Sequence, residues 1–116
     1  MKLWIDDVRP APEGYIWCSS VNEAIAIIKA CDGRKTYRDK MGLPHDKEVE
    51  EVDIIDCDHD LGDFAADGGD GIKLLDWLEE TGRNYPIRIH SANPVGVANM
   101  RRIIQKNGWK EVFLWT

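Results

Sequence analysis

The chain has no apolar run approaching the roughly 18 residues that a membrane-spanning helix needs, so none of its 116 residues is expected in a bilayer. It has no C-x-x-C pair. Cys18, Cys31 and Cys57 are an odd number without metal or redox spacing, and they read as reduced, mostly buried thiols. There is no internal repeat and no low-complexity tract. Positive charge is in deficit: 15 Lys and Arg face 21 acids, a formal net charge of −6. That balance argues against a non-specific binder of double-stranded DNA, although it leaves open a phosphate held through a cation. The N-terminus meets Asp6 and Asp7 too early for a signal peptide, so a cytoplasmic protein is expected. The length fits one domain, 1–116, and 43% apolar residues are enough for an ordinary core without disulfides.

Basic residues are missing altogether from Asp53 to Asp70, where seven of the 13 aspartates lie. The flanking patterns give these acids a place. Leu3-Trp4-Ile5 is a short apolar run that stops at Asp6-Asp7 and predicts a strand with acids at its carboxyl end. Further strands are predicted at Tyr15–Cys18, Val52–Asp58, Pro86–His90 and Val112–Trp115. Ser20 and Glu23 form a capping box before the helically spaced Val21, Ala24, Ile25, Ile27 and Ile28, a helix that Gly33 would end. A second helix carries Ile72, Leu74, Leu75, Trp77 and Leu78 and stops at Gly82. A third runs from Val97 to Asn107, with Ser91 to Gly96 before it as a loop and Gly108 as its stop. Residues 32–51, charged and carrying Gly42 and Pro44, read as a surface insertion.

The order β-β-α-β-α-β-α-β implies right-handed crossovers and a parallel sheet. Ligands of such sheets bind beyond the carboxyl ends of the strands, where Asp6-Asp7, Asp58-His59-Asp60 and His90-Ser91 fall. Neighbouring carboxylates repel one another unless a cation joins them. Asp6, Asp7 and Asp58, with Asp60 as a further candidate ligand, are hard oxygen donors suited to Mg²⁺, with Mn²⁺ or Ca²⁺ as alternatives. An EF-hand starting at Asp58 is excluded, because Gly62 and Gly69 stand where it needs an oxygen donor and a Glu.

Asp6-Asp7, Asp58, Asp70-Gly71 and Ser91 resemble the acidic pair, the phosphoacceptor, the Asp-Gly and the Ser/Thr position of response-regulator receiver domains. The Lys that receivers carry near the end of the fifth strand is missing from Leu114-Trp115-Thr116, and there is no room for their first and last helices. A narrower group matches more of the chain. Leu3-Trp4-Ile5-Asp6-Asp7-Val8-Arg9-Pro10, Asp58-His59-Asp60-Leu61-Gly62 and His90-Ser91-Ala92-Asn93-Pro94, with Gly96 and Met100, resemble the cyclic-phosphate processing receiver domains. The resemblance implies a receiver-like (flavodoxin-type) α/β fold with a five-stranded parallel sheet in the order 2-1-3-4-5, lacking the usual first and last helices. It also implies a Mg²⁺-dependent phosphoesterase acting on a small cyclic phosphate ester or an RNA end. The alternatives are a non-catalytic receiver-like binding module and a phosphoacceptor receiver.

For such a hydrolysis His59 and His90 would share the base and acid roles, and Asp58 would be a metal ligand or, in a covalent rival, the nucleophile. Arg9, Ser91 and Asn93 would bind the phosphate. Arg101, Arg102, Lys106 and Lys110 form a small basic stripe, either a solvated helix face or a track for RNA. With two helices missing, one sheet face would be open. Lys2 and Trp4 alternate with Leu3 and Ile5, while Asp56 and Arg88 break otherwise apolar strands and could pair on that face. An exposed face rich in Trp suggests a homodimer or a partner domain across it, the alternative being that residues 32–51 fold back over it.

Overall fold

Leu3 and Ile5 alternate with Lys2 and Trp4, and a strand sends alternate side chains to opposite sides of its sheet. In the computed structural model, which describes residues 1–31, 40–43, 51–113 and the backbone alone at 35–38 and 44–47, both sides have a use. Leu3 and Ile5 are fully buried beneath helices, whereas Lys2 is exposed. Their strand, β1 (Lys2–Ile5), is flanked by β2 (Tyr15–Cys18) and β5 (Ile54–Cys57), and β5 pairs in turn with β6 (Ile87–Ile89). All three pairings are parallel, with Ile5 opposite Cys18 and Cys57, and Cys57 opposite Ile89.

Three helices close one face. Helix α1 (Val21–Ala30) turns Val21, Ala24 and Ile28 inward, α2 (Gly71–Glu80) turns Leu74, Leu75 and Leu78 inward, and α3 (Pro94–Asn107) contributes Met100 and Ile104. These pack with Leu3, Ile5, Ile55, Cys57 and Ile87 into a single core. Burial of each large aliphatic side chain there contributes about 1.5–3 kcal/mol. No helix among the described residues is long and apolar enough to cross a membrane.

On the opposite face, among the described residues, Trp17 is exposed whereas Trp4 and Asp56 are buried. Trp17, Trp4, Asp56 and Arg88 stand in one row across β2, β1, β5 and β6. Arg88 Nη1 donates to Asp56 Oδ2 at 3.0 Å, the pairing expected from their spacing. Toward the amino ends of the strands this face holds a cavity of about 550 Å³, lined in part by Lys2, Tyr15, Ile54, Arg88, Lys110 and Phe113.

The structure departs from the expected outline in three places. The sheet has four strands in the order 2-1-3-4 by their sequence in the sheet. The expected fifth is reduced, among the described residues, to one parallel bridge between Ile87 and Glu111, bounded by Val112 N–H donating to Ile87 O at 2.8 Å. Residues 114–116 of that predicted strand lie outside the described residues. Glu111 is held by Arg101 of α3 through bonds of 2.7–2.9 Å. Helix α3 begins three residues early, at Pro94, capped by the Asn93 side chain accepting from Gly96 N–H at 3.0 Å. Proline at the first helical position is pre-set for the helix and loses no hydrogen bond there. Helix α1 stops before the predicted Gly33, which lies outside the described residues. Between α1 and β5, β3 (Lys35–Arg38) and β4 (Pro44–Lys47) pair antiparallel around Gly42, whose φ of 80° suits a tight turn.

Candidate active site

Parallel register places the acids. Because Ile5, Cys57 and Ile89 are aligned, the next residues, Asp6, Asp58 and His90, emerge side by side at the carboxyl edge of the sheet. The ladder extends through them: Asp58 N–H donates to Ile5 O at 2.9 Å and His90 N–H to Cys57 O at 3.0 Å. Asp6, Asp7 and Asp58 each offer a carboxylate oxygen, and these three atoms lie within 4.8 Å of one another.

Each acid of this trio is held differently. Asp6 is buried, and its Oδ1 accepts the N–H groups of Val8 and Arg9, both at 2.9 Å. Asp7 lies against Gly62, where a Cβ would come within 2.5 Å of Asp7 Oδ2. Asp58 accepts from His59 N–H at 2.8 Å. Burial, followed by the charge of Asp6, pushes the Asp58 carboxyl above its ordinary range, against the opposing pull of the Ser91 hydroxyl, the His59 N–H and the His90 ring. A cation among the three would relieve that repulsion. Three hard oxygens on one point, with an open cavity alongside, fit Mg²⁺ and its preference for retaining waters.

That cavity, about 220 Å³, is lined by Arg9, Asp58, Asp60, His90, Ser91 and Asn93. Arg9 is exposed at its wall. The structure does not bring Asp60 into the carboxylate trio with which the sequence grouped it. Asp60 turns toward α3, where its Oδ1 lies 2.8 Å from His59 Nδ1 and it accepts from Asn93 Nδ2 at 3.3 Å. These bonds, the His59 contact foremost, hold its carboxyl below the ordinary range. Its potential co-ligands are His59 and Asp70 instead. Asn93, expected on the phosphate, is occupied at both ends of its amide, as helix cap and as donor to Asp60.

The two histidines differ. The His59 ring packs on Gly96, where a Cβ would come within 2.5 Å of its Cγ, and Asp60 engages its Nδ1. His90 is buried and engaged on both nitrogens: Nδ1 lies 2.6 Å from Asp56 Oδ1 and Nε2 lies 3.0 Å from Asp6 Oδ2. Trp4 stacks on it with ring centroids 3.7 Å apart. Trp4 and Asp56 are therefore part of the site. In the sequence both stand on the face opposite Leu3 and Ile5 with no role at the site, although alternation already puts them on the same side as Asp6.

Two further acids of the 53–70 stretch hold its loop in place. Asp67 accepts from Ser20 Oγ at 2.7 Å and Asn22 Nδ2 at 2.9 Å, tying the loop to the start of α1, and Asp70 Oδ1 accepts Leu61 N–H at 3.1 Å. In the basic stripe Arg101 is paired with Glu111 and Lys106 with Glu79. A family model described as the cyclic-phosphate processing receiver domain matches residues 1–106, and no curated protein matches the chain.

Proposed function

The chain belongs to the cyclic-phosphate processing receiver domain family, and on that premise we propose that it is a cation-dependent phosphoesterase that opens cyclic phosphodiesters such as 2′,3′-cyclic nucleotides or RNA ends. One observation carries the reading: Asp6, Asp7 and Asp58 converge beside a cavity that also presents Arg9 and Ser91. A Mg²⁺, Mn²⁺ or Ca²⁺ ion held by the trio would supply positive charge to a phosphate oxygen.

The chain's own groups provide the rest. Arg9 offers a forked donor matched to two phosphate oxygens. Ser91 lines the cavity beside Asp58. His59, with Nδ1 held toward Asp60, keeps Nε2 for moving a proton to or from the reacting oxygens. His90 supports this centre through Asp6.

The test is hydrolysis of a 2′,3′-cyclic nucleotide with Mg²⁺ and with a chelator, alongside Asp58→Asn. Turnover that requires both the cation and Asp58 supports the proposal; turnover indifferent to both removes it. A second reading, Asp58 as phosphoacceptor, is favoured by its place just past the end of β5, with Ser91 lining the same cavity. A stable beryllofluoride adduct without turnover would select that reading. Cation or nucleotide binding with neither would leave a non-catalytic module.

A further inference from the structure

Alternation along three strands puts Trp4, Asp6, Asp56, Arg88 and His90 on the same side of the sheet, and side chains join them in one line. Arg88 Nη1 donates to Asp56 Oδ2 at 3.0 Å, Asp56 Oδ1 lies 2.6 Å from His90 Nδ1, and His90 Nε2 lies 3.0 Å from Asp6 Oδ2. Asp56 is fully buried and His90 nearly so. The Trp4 ring, 7° from parallel with the imidazole, fixes the plane of the link. Trp4 is itself anchored by Nε1 donating to Arg9 O at 2.8 Å, and Trp17 Nε1 donates to Asp6 O at 2.6 Å.

The consequence falls on Asp6. A carboxylate oxygen has two lone-pair directions. Both at Oδ1 are taken by Val8 and Arg9 N–H groups, and one at Oδ2 is directed at His90. One direction on one oxygen is left. We propose that Asp56 is a positioning residue for the candidate cation site. Acting through His90, it holds Asp6 to a single-oxygen ligand, and so sets the site's preference for Mg²⁺ over Ca²⁺. Mg²⁺ demands a tight, near-octahedral shell, whereas Ca²⁺ accepts more ligands and two-oxygen carboxylates. Hydrogen-bond partners behind a ligand commonly govern cation affinity by 10–100-fold.

The inference rests on the cation-site reading above, and its test separates the two. Mg²⁺ and Ca²⁺, each alone, are titrated by calorimetry into the wild-type chain, Asp56→Asn and His90→Gln, with circular dichroism as the folding check. Asp56→Asn keeps the shape but weakens the grip on His90, and His90→Gln shortens the link to Asp6. The expected result is a loss of Mg²⁺ affinity of about 10–100-fold with a smaller loss for Ca²⁺, shifting the Ca²⁺/Mg²⁺ preference by about tenfold or more. If Asp56→Asn does not fold, His90→Gln carries the test. Equal losses for both cations, or none, in a folded variant would overturn the positioning role while the site stands. A wild-type chain that binds neither cation would overturn the site and the inference together.

Discussion

Trp4 lies flat on His90, with ring centroids 3.7 Å apart and planes 7° from parallel. The contact joins a buried aromatic to the candidate site, so a change at Trp4 acts on both stability and the site. Trp4→Ala should cost about 3–5 kcal/mol of stability as a large buried side chain is removed. Trp4→Phe should keep the stack, lose the bond from Nε1 to Arg9 O and cost less. Urea unfolding of the two variants measures the difference.

Gly62 has a φ of 54° and stands where a Cβ would reach within 2.5 Å of Asp7 Oδ2. Gly62→Ala should therefore have two effects of different size. The positive φ costs about 1–2 kcal/mol for an L-residue. The displaced Asp7 should weaken Mg²⁺ binding by about tenfold or more. Calorimetry beside a thermal melt resolves them, and unchanged Mg²⁺ affinity would remove Asp7 from the ligand set.

On the proposed function His59 has a ring nitrogen for proton transfer and His90 does not. His59→Ala should lower kcat by about 10²-fold, the usual contribution of a general acid or base, with little change in Mg²⁺ affinity. Steady-state kinetics at saturating Mg²⁺ is the measurement. Equal kcat in His59→Ala and wild type would return the acid–base role to another group.

Cys18 is fully buried, and burial, helped by the charge of Glu23, pushes its thiol from an ordinary 9.0 up to about 12. A raised folded-state value means the folded chain holds the proton more tightly than the unfolded one. The stability tied to Cys18 is thus complete below pH 9 and is lost as pH rises toward 12. Denaturant melts across that range should show the decline, and Cys18 should resist alkylation at pH 8 until the chain unfolds. Rapid labelling of Cys18 in the folded protein at pH 8 would contradict its burial.

The strand ends were legible because an apolar run that stops at an acid marks both the element and its edge: Ile5 before Asp6, Cys57 before Asp58. Register did the rest. Other features depend on contacts between residues distant in sequence. His90 reads as a free acid–base group until Asp56, 34 positions away, is seen at its Nδ1. Asp60 looks like part of an acidic cluster, yet its immediate neighbour His59 and the cap residue Asn93 turn it aside. Pro94 reads as a loop residue from its type alone, although at the first position of α3 it favours the helix. Of the predicted fifth strand the described residues show one bridge, Ile87 to Glu111, where Arg101 of α3 also holds Glu111.

The alignment of Ile5 with Cys57 has a thermodynamic side. Asp6 and Asp58 are neighbours only while β1 and β5, some fifty residues apart, are paired; slipping either strand by one position would turn its acid to the other face. The unfolded chain therefore contains no such ligand set. Any cation bound there draws the population toward the native state by mass action, adding about 2.7 kcal/mol at a hundredfold excess over its dissociation constant. The melting temperature should climb with Mg²⁺ concentration, and a thermal shift would then report the pairing of two strands as directly as it reports the ion.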